Sequence, residues 1–151
     1  MKKFIIYLFS LLLLVSCDNL NWKSSIPDRA VYIDRTLLTE AFELLSVGGY
    51  KIFNRENKKI TESVGFGGIL VFHGYNDEYY AFDLACPYEL TQNIQVAPNT
   101  EGQVVCPVCG SKFSIGWGTG ALYSGPAKEG LRRYQVVYIS LANGDKIRVI
   151  R

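Results

Sequence analysis

Apolar positions fall along this chain in two different patterns. Residues 4–15, starting at Phe4, form an almost unbroken apolar run. From residue 30 onward, apolar residues come in short groups separated by Gly, Asn, Asp and Pro. The groups at 30–33, 50–53, 68–72, 79–82, 103–105 and 112–115 are rich in β-branched and aromatic residues and predict strands. Two more strands are predicted over 131–140 and 146–150, joined through Asn143-Gly144, a strong hairpin signal. Only one stretch departs from this rhythm. Leu37, Leu38, Ala41, Phe42 and Leu45 recur at three- and four-residue spacing before Gly48-Gly49, which predicts a short helix. Many short strands with turn residues between them make an all-β sandwich or barrel.

The first apolar run reads as an address. Met1-Lys2-Lys3 is a basic start, and Leu14-Val15-Ser16-Cys17 closes the run with a small residue directly before a cysteine. A basic region, an apolar region and small residues at a cut site define a secretory signal. The cysteine makes it the pattern of a bacterial lipoprotein signal, in which the thiol is lipidated. A membrane-spanning helix needs about 20 apolar residues, and this run meets polar Asp18 and Asn19 too early. The expected organisation is a signal peptide over 1–16, a lipid-anchored tether over 17–28 containing Ser24, Ser25 and Pro27, and one domain over 29–151. Cys17 is the lipidation site, the membrane is a partner through that lipid, and the location is the bacterial cell envelope, outside the cytoplasm.

Without the signal, the balance of charge changes. The chain has 16 basic and 14 acidic residues, and Lys2 and Lys3 account for the excess. The remaining domain is near neutral and has no basic stripe with which to neutralise phosphates, so nucleic acid is excluded as a partner. Gly65, Gly67 and Gly68 do not form a phosphate loop, since no helix is predicted after them.

The candidate chemistry lies in three cysteines. Cys86-Pro87-Tyr88-Glu89 and Cys106-Pro107-Val108-Cys109-Gly110 are similar segments. A Cys-Pro-x-Cys-Gly turn is a metal-binding knuckle, in which a tight turn presents thiolates together while backbone N–H groups point at the sulfurs. Thiolate sets suit zinc and iron. Cys86 comes from a second loop, and Glu89 stands at the spacing of Cys109. A disulfide, either Cys106–Cys109 or Cys86–Cys106, is the competing reading in an oxidising compartment.

Over residues 66–151 the chain resembles the Rieske iron–sulfur family. Ile69-Leu70-Val71-Phe72 and Tyr80-Ala81-Phe82-Asp83-Leu84-Ala85-Cys86-Pro87 resemble the strands leading into its first cluster loop. The stretch from Cys106 to Phe113 resembles its second loop. Tyr123-Ser124-Gly125-Pro126-Ala127, with Leu131-Arg132-Arg133-Tyr134 beyond, resembles its proline loop and following strand. The resemblance implies a Rieske-like antiparallel sandwich of small sheets with two Cys-Pro loops at one tip and a loop subdomain at about 83–127. It also implies that Cys86 and Cys106 are cysteine ligands.

The departures define the question. The family's two histidine ligands fall at Tyr88 and Cys109 here, and the single histidine, His73, is expected to be a surface turn residue. One histidine cannot supply two imidazoles, so an ordinary Rieske cluster is excluded. The metal-site candidates are Cys86, Cys106 and Cys109, with Tyr88 or Glu89 as a fourth contact. Three outcomes stay open: a [2Fe–2S] cluster with three thiolates and an oxygen ligand, one ion such as zinc, or a metal-free domain with a disulfide and a spare thiol. The corresponding functions are electron transfer or metal binding with an unidentified protein or redox partner, and a non-redox binding or structural scaffold. A catalytic residue set is not visible, and the chain is not expected to be an enzyme by itself. Tyr79, Tyr80, Tyr88, Tyr123, Tyr134 and Tyr138 read as half-buried strand residues, and Trp117 is expected to pack over the second loop.

Overall fold

The structure, a computed structural model, describes residues 24–151. The expected signal peptide, Cys17 and the first part of the tether lie outside the described residues. Eleven strands account for the architecture: β1 (Val31–Thr36), β2 (Tyr50–Phe53), β3 (Ser63–Val64), β4 (Ile69–His73), β5 (Tyr79–Asp83), β6 (Ala97–Pro98), β7 (Gln103–Val105), β8 (Lys112–Ser114), β9 (Ala121–Ser124), β10 (Arg133–Ile139) and β11 (Lys146–Ile150). The expected all-β class of small antiparallel sheets is the one the chain adopts. Seven strands join in the order β2-β4-β5-β10-β11-β1-β3, and four in the order β6-β7-β8-β9.

Strand β10 links the two halves of the larger sheet. Its first residues, Arg133 and Tyr134, pair with Phe82 and Ala81 of β5. Its remainder, Gln135 to Ile139, pairs with β11 across the hairpin that Asn143-Gly144 predicts. Gly144 sits at φ 120°, open to glycine and strained for other residues.

Alternation along β4 and β5 builds two cores. Successive side chains of a strand point to opposite faces, and all five residues of β4 are buried. Ile69 and Val71 join Ala81, Ile33, Leu44, Phe53, Ile147 and Val149 in one core. Leu70 and Phe72 join Phe82, Leu84, Val104, Phe113 and Ile115 in the other, which also contains Cys86 and Cys106. Each such Phe, Leu or Ile stabilises the fold by about 1.5–3 kcal/mol relative to an exposed one. The second core fixes the smaller sheet on the larger one, and with it the two cysteine loops.

The predicted helix is broken into two short pieces. An α-helical turn, α1 (Leu37–Glu40), ends at Ala41 with φ −151°, and a 3₁₀ turn follows over Phe42–Leu45. Of the five expected apolar residues only Leu37 and Ala41 face inward, while Leu38 and Phe42 are each 64% exposed and Leu45 is exposed as well. Leu44, outside the expected set, is the third residue packed into the core.

Two further expectations are corrected. His73 is not a surface turn residue. It closes β4 at 4% exposure, its Nδ1 lies 2.8 Å from the Leu44 carbonyl and its Nε2 2.8 Å from Asp77 Oδ1. Its ring also stacks on Tyr79 at 4.5 Å. Trp117 is 66% exposed, and its aromatic partner is Tyr75, met edge-on at 5.9 Å, at the tip of the β4–β5 connection rather than at the second cysteine loop.

Candidate metal centre

Two loops supply the site. The first leaves the end of β5, where Leu84 donates its N–H to Gly68 and an isolated bridge joins Ala85 to Gln95. The second is the tight turn between β7 and β8, whose register pairs Val105 with Lys112. In each loop a Cys-Pro pair opens a turn that returns a backbone N–H to the cysteine carbonyl. Leu90 donates to Cys86 at 3.0 Å, and Gly110 donates to Cys106 at 3.1 Å.

Asp83 anchors the first loop from below. Its carboxylate is fully buried and accepts from the N–H groups of Phe66, Gly67 and Ala85 at 3.0, 2.9 and 2.8 Å, and from the Tyr134 hydroxyl at 2.7 Å. Burial and the Asp83 charge push the Tyr134 phenol well above its usual range, so it stays a donor. This network ties the Gly-rich turn at 65–68, the root of the Cys86 loop and β10 together. Asp83 and Tyr134 are 51 residues apart in the chain, and no local pattern in the sequence signals their partnership.

The three expected cysteines converge. Cys86, Cys106 and Cys109 sulfurs all lie within 4.8 Å of one another, and Cys86 and Cys109 are 3.7 Å apart. Tetrahedral ligands at about 2.3 Å from one ion stand about 3.8 Å apart, so this spacing suits a shared ion. It is far longer than an S–S bond of about 2.05 Å, and all three thiols are free. Among the described residues no His, Asp or Glu joins this group. The Tyr88 side chain is 51% exposed.

The thiols are electrostatically unequal. Burial pushes Cys86 up to about 12, against N–H groups of Glu89 and Tyr88 that point at its sulfur and favour the thiolate; the neighbouring Cys106 and Cys109 push the same way as burial. At Cys109 burial also raises the thiol, but the Ser111 hydroxyl and N–H, followed by Cys106 and Cys86, outweigh it and hold it below its ordinary range. Sequence reasoning assigned Ser111 no role. Its hydroxyl is 3.2 Å from the Cys109 sulfur and accepts the Ala127 N–H at 3.1 Å. Gly125 makes that approach possible, because a Cβ there would stand 2.5 Å from the Ser111 Cα. The Ser-Gly-Pro-Ala stretch therefore closes the site from a third side.

An ordinary two-histidine, two-cysteine cluster does not fit these residues. Its four terminal ligands would need imidazoles that the chain lacks, and His73 lies at the opposite end of β4, with both ring nitrogens engaged. A soft metal held through three thiolates does fit, since the donors are convergent, largely sheltered and served by N–H and O–H groups.

Fold and site together define an all-β domain with a three-thiol centre between paired Cys-Pro loops. No family model matches the chain, and no curated protein matches its sequence. Among solved structures, the ferredoxin of carbazole 1,9a-dioxygenase from Nocardioides aromaticivorans IC177 is similar at 20% identity with a TM-score of 0.48, over 82% of this chain and 96% of that one. A protein described as a small subunit of NADH-dependent nitrite reductase from Mycobacterium tuberculosis is similar at 15% identity with a TM-score of 0.44, over 82% and 97%.

Proposed function

We propose that this chain is a lipid-anchored protein of the bacterial cell envelope whose Rieske-like domain binds metal through Cys86, Cys106 and Cys109 and transfers electrons with a protein partner. The observation that carries the reading is the convergence of three sulfurs within 4.8 Å from two separate loops. Lipid on Cys17 holds the domain at a membrane. Bound metal supplies the redox chemistry. The chain's own residues hold it, with the Glu89 and Tyr88 N–H groups and Ser111 stabilising thiolate charge, and the second core excludes water from the Cys86 and Cys106 side.

Metal content and the absorption spectrum of the full chain, purified in detergent without oxygen, test this. Bound iron with visible bands bleached by dithionite supports electron transfer. One zinc and a colourless sample keep metal binding and remove the redox role. A metal-free chain after anaerobic purification, refusing added iron and zinc, makes the domain a non-redox scaffold.

A further inference from the structure

The two cysteine loops are two copies of one turn, and the correspondence runs residue by residue. Pro87 matches Pro107, and the exposed third residues, Tyr88 at 51% and Val108 at 62%, both face solvent. The fifth residue returns its N–H to the first residue's carbonyl in both loops, at 3.0 Å from Leu90 and 3.1 Å from Gly110. Both fifth residues are left-handed, Leu90 at φ 54° and Gly110 at φ 72°.

Glycine adopts that conformation freely. Leucine does so at a penalty of about 1–2 kcal/mol. A strained non-glycine residue persists where the surrounding structure requires the conformation, and such positions cluster at functional sites. Leu90 is 45% exposed, so little burial compensates. The first loop is therefore held in the metal-knuckle shape in spite of its sequence, and the fourth residue of a knuckle is the one that presents a ligand. In the second loop that residue is Cys109. In the first it is Glu89.

We propose that the site is a mononuclear tetrahedral centre in which Cys86, Cys106 and Cys109 supply three vertices and the Glu89 carboxylate the fourth. The correspondence decides between the two oxygen candidates, since Tyr88 matches the outward-facing Val108 and Glu89 matches a ligand. Glu89 lies outside the three-sulfur group, and no salt bridge among the described residues uses it. A carboxylate bonds zinc and similar divalent ions at about 2.0–2.2 Å, and its rotation inward follows the ion. This inference rests on the metal-binding reading and narrows it from any metal group to one ion.

Cobalt(II) titration of the full chain in detergent is the test, read by its d–d and thiolate-to-cobalt bands. The native chain takes up one cobalt per chain with intense tetrahedral d–d bands. In Glu89→Cys the charge-transfer intensity rises by about one third, from three thiolates to four. Glu89→Ala, which needs no new packing, weakens affinity at least about tenfold, the loss typical even for an outer-shell partner. Tetrahedral cobalt with equal affinity in Glu89→Ala and no added charge transfer in Glu89→Cys overturns Glu89 as ligand and leaves the three-thiolate reading standing. No uptake by the native chain overturns both. Two metals per chain overturns the mononuclear centre alone.

Discussion

The Ser111 hydroxyl stands 3.2 Å from the Cys109 sulfur while accepting the Ala127 N–H at 3.1 Å, so one buried oxygen couples the second cysteine loop to the segment that closes the site. Burial raises the Cys109 thiol, and Ser111 is the first group that lowers it again. Ser111→Ala removes the sulfur's hydroxyl partner and the acceptor of the Ala127 N–H together. The pH profile of iodoacetamide reaction at Cys109 in the metal-free protein shifts to higher pH, because the thiolate forms later. Stability falls by about 1–3 kcal/mol, the cost of a buried N–H without a partner. An unmoved profile would show that the hydroxyl does not serve the sulfur.

Leu90 and Gly110 allow the backbone cost of the two turns to be measured by reciprocal substitution. Leu90→Gly relieves about 1–2 kcal/mol of left-handed strain but adds about 0.5–1 kcal/mol of unfolded-state freedom. Urea denaturation of the metal-free protein then gives a net gain of about 0.5–1 kcal/mol. Gly110→Ala meets no atom within 4 Å, so the same two effects act with opposite sign and the net loss is about 0.5–1 kcal/mol. If Leu90→Gly destabilises, side-chain contacts hold Leu90 and the strain is not its main feature.

Much of this was legible in the sequence, for identifiable reasons. β4 and β5 are continuous β-branched and aromatic runs, and Asn143-Gly144 marks its hairpin through glycine chemistry, so these elements follow from local rules. The convergence of Cys86, Cys106 and Cys109 followed from two similar Cys-Pro turns in one chain. Two-residue strands such as β3 and β6 exist only through tertiary pairing and left no periodic signal. His73 was misplaced because a histidine beside glycine suggests a turn, whereas the Leu44 carbonyl and Asp77, set by the chain's return, give both ring nitrogens partners inside. Ser111 was invisible as a site residue because its role depends on Ala127, which only the fold brings within 3.1 Å.

Tyr134 and Asp83 supply a test of what holds the first loop. Tyr134→Phe keeps the ring and removes one of four donors to the buried carboxylate, the one at 2.7 Å. Hydrogen bonds to charged groups contribute about 1.5–3 kcal/mol, and a loss in that range is expected in thermal denaturation. Because Asp83 also holds the Ala85 N–H at 2.8 Å, hydrogen exchange at Ala85 and Cys86 accelerates more than at Val149, which shares a core with Tyr134 but has no part in the Asp83 network. Uniform acceleration across the domain would mean that the network stabilises the fold without specifically holding the loop.

The sulfur spacing also orders the chemistry of the metal-free protein. Cys109 is the thiol held low and the less buried one, so dilute peroxide converts it first to a sulfenic acid. Its neighbour at 3.7 Å is Cys86, whose sulfur displaces water from that acid to form a Cys86–Cys109 disulfide. Burial holds the Cys86 thiol up to about 12, so the attacking thiolate is scarce at neutral pH. Closure therefore speeds up as the pH rises above neutral. Peptide mapping after the reaction finds Cys106 still open to alkylation, and prior loading with zinc or cobalt blocks oxidation at all three thiols. A dominant Cys106–Cys109 or Cys86–Cys106 pair, the two disulfides that sequence spacing alone suggests, would show that the 3.7 Å contact of Cys86 and Cys109 does not decide which thiol closes the bond.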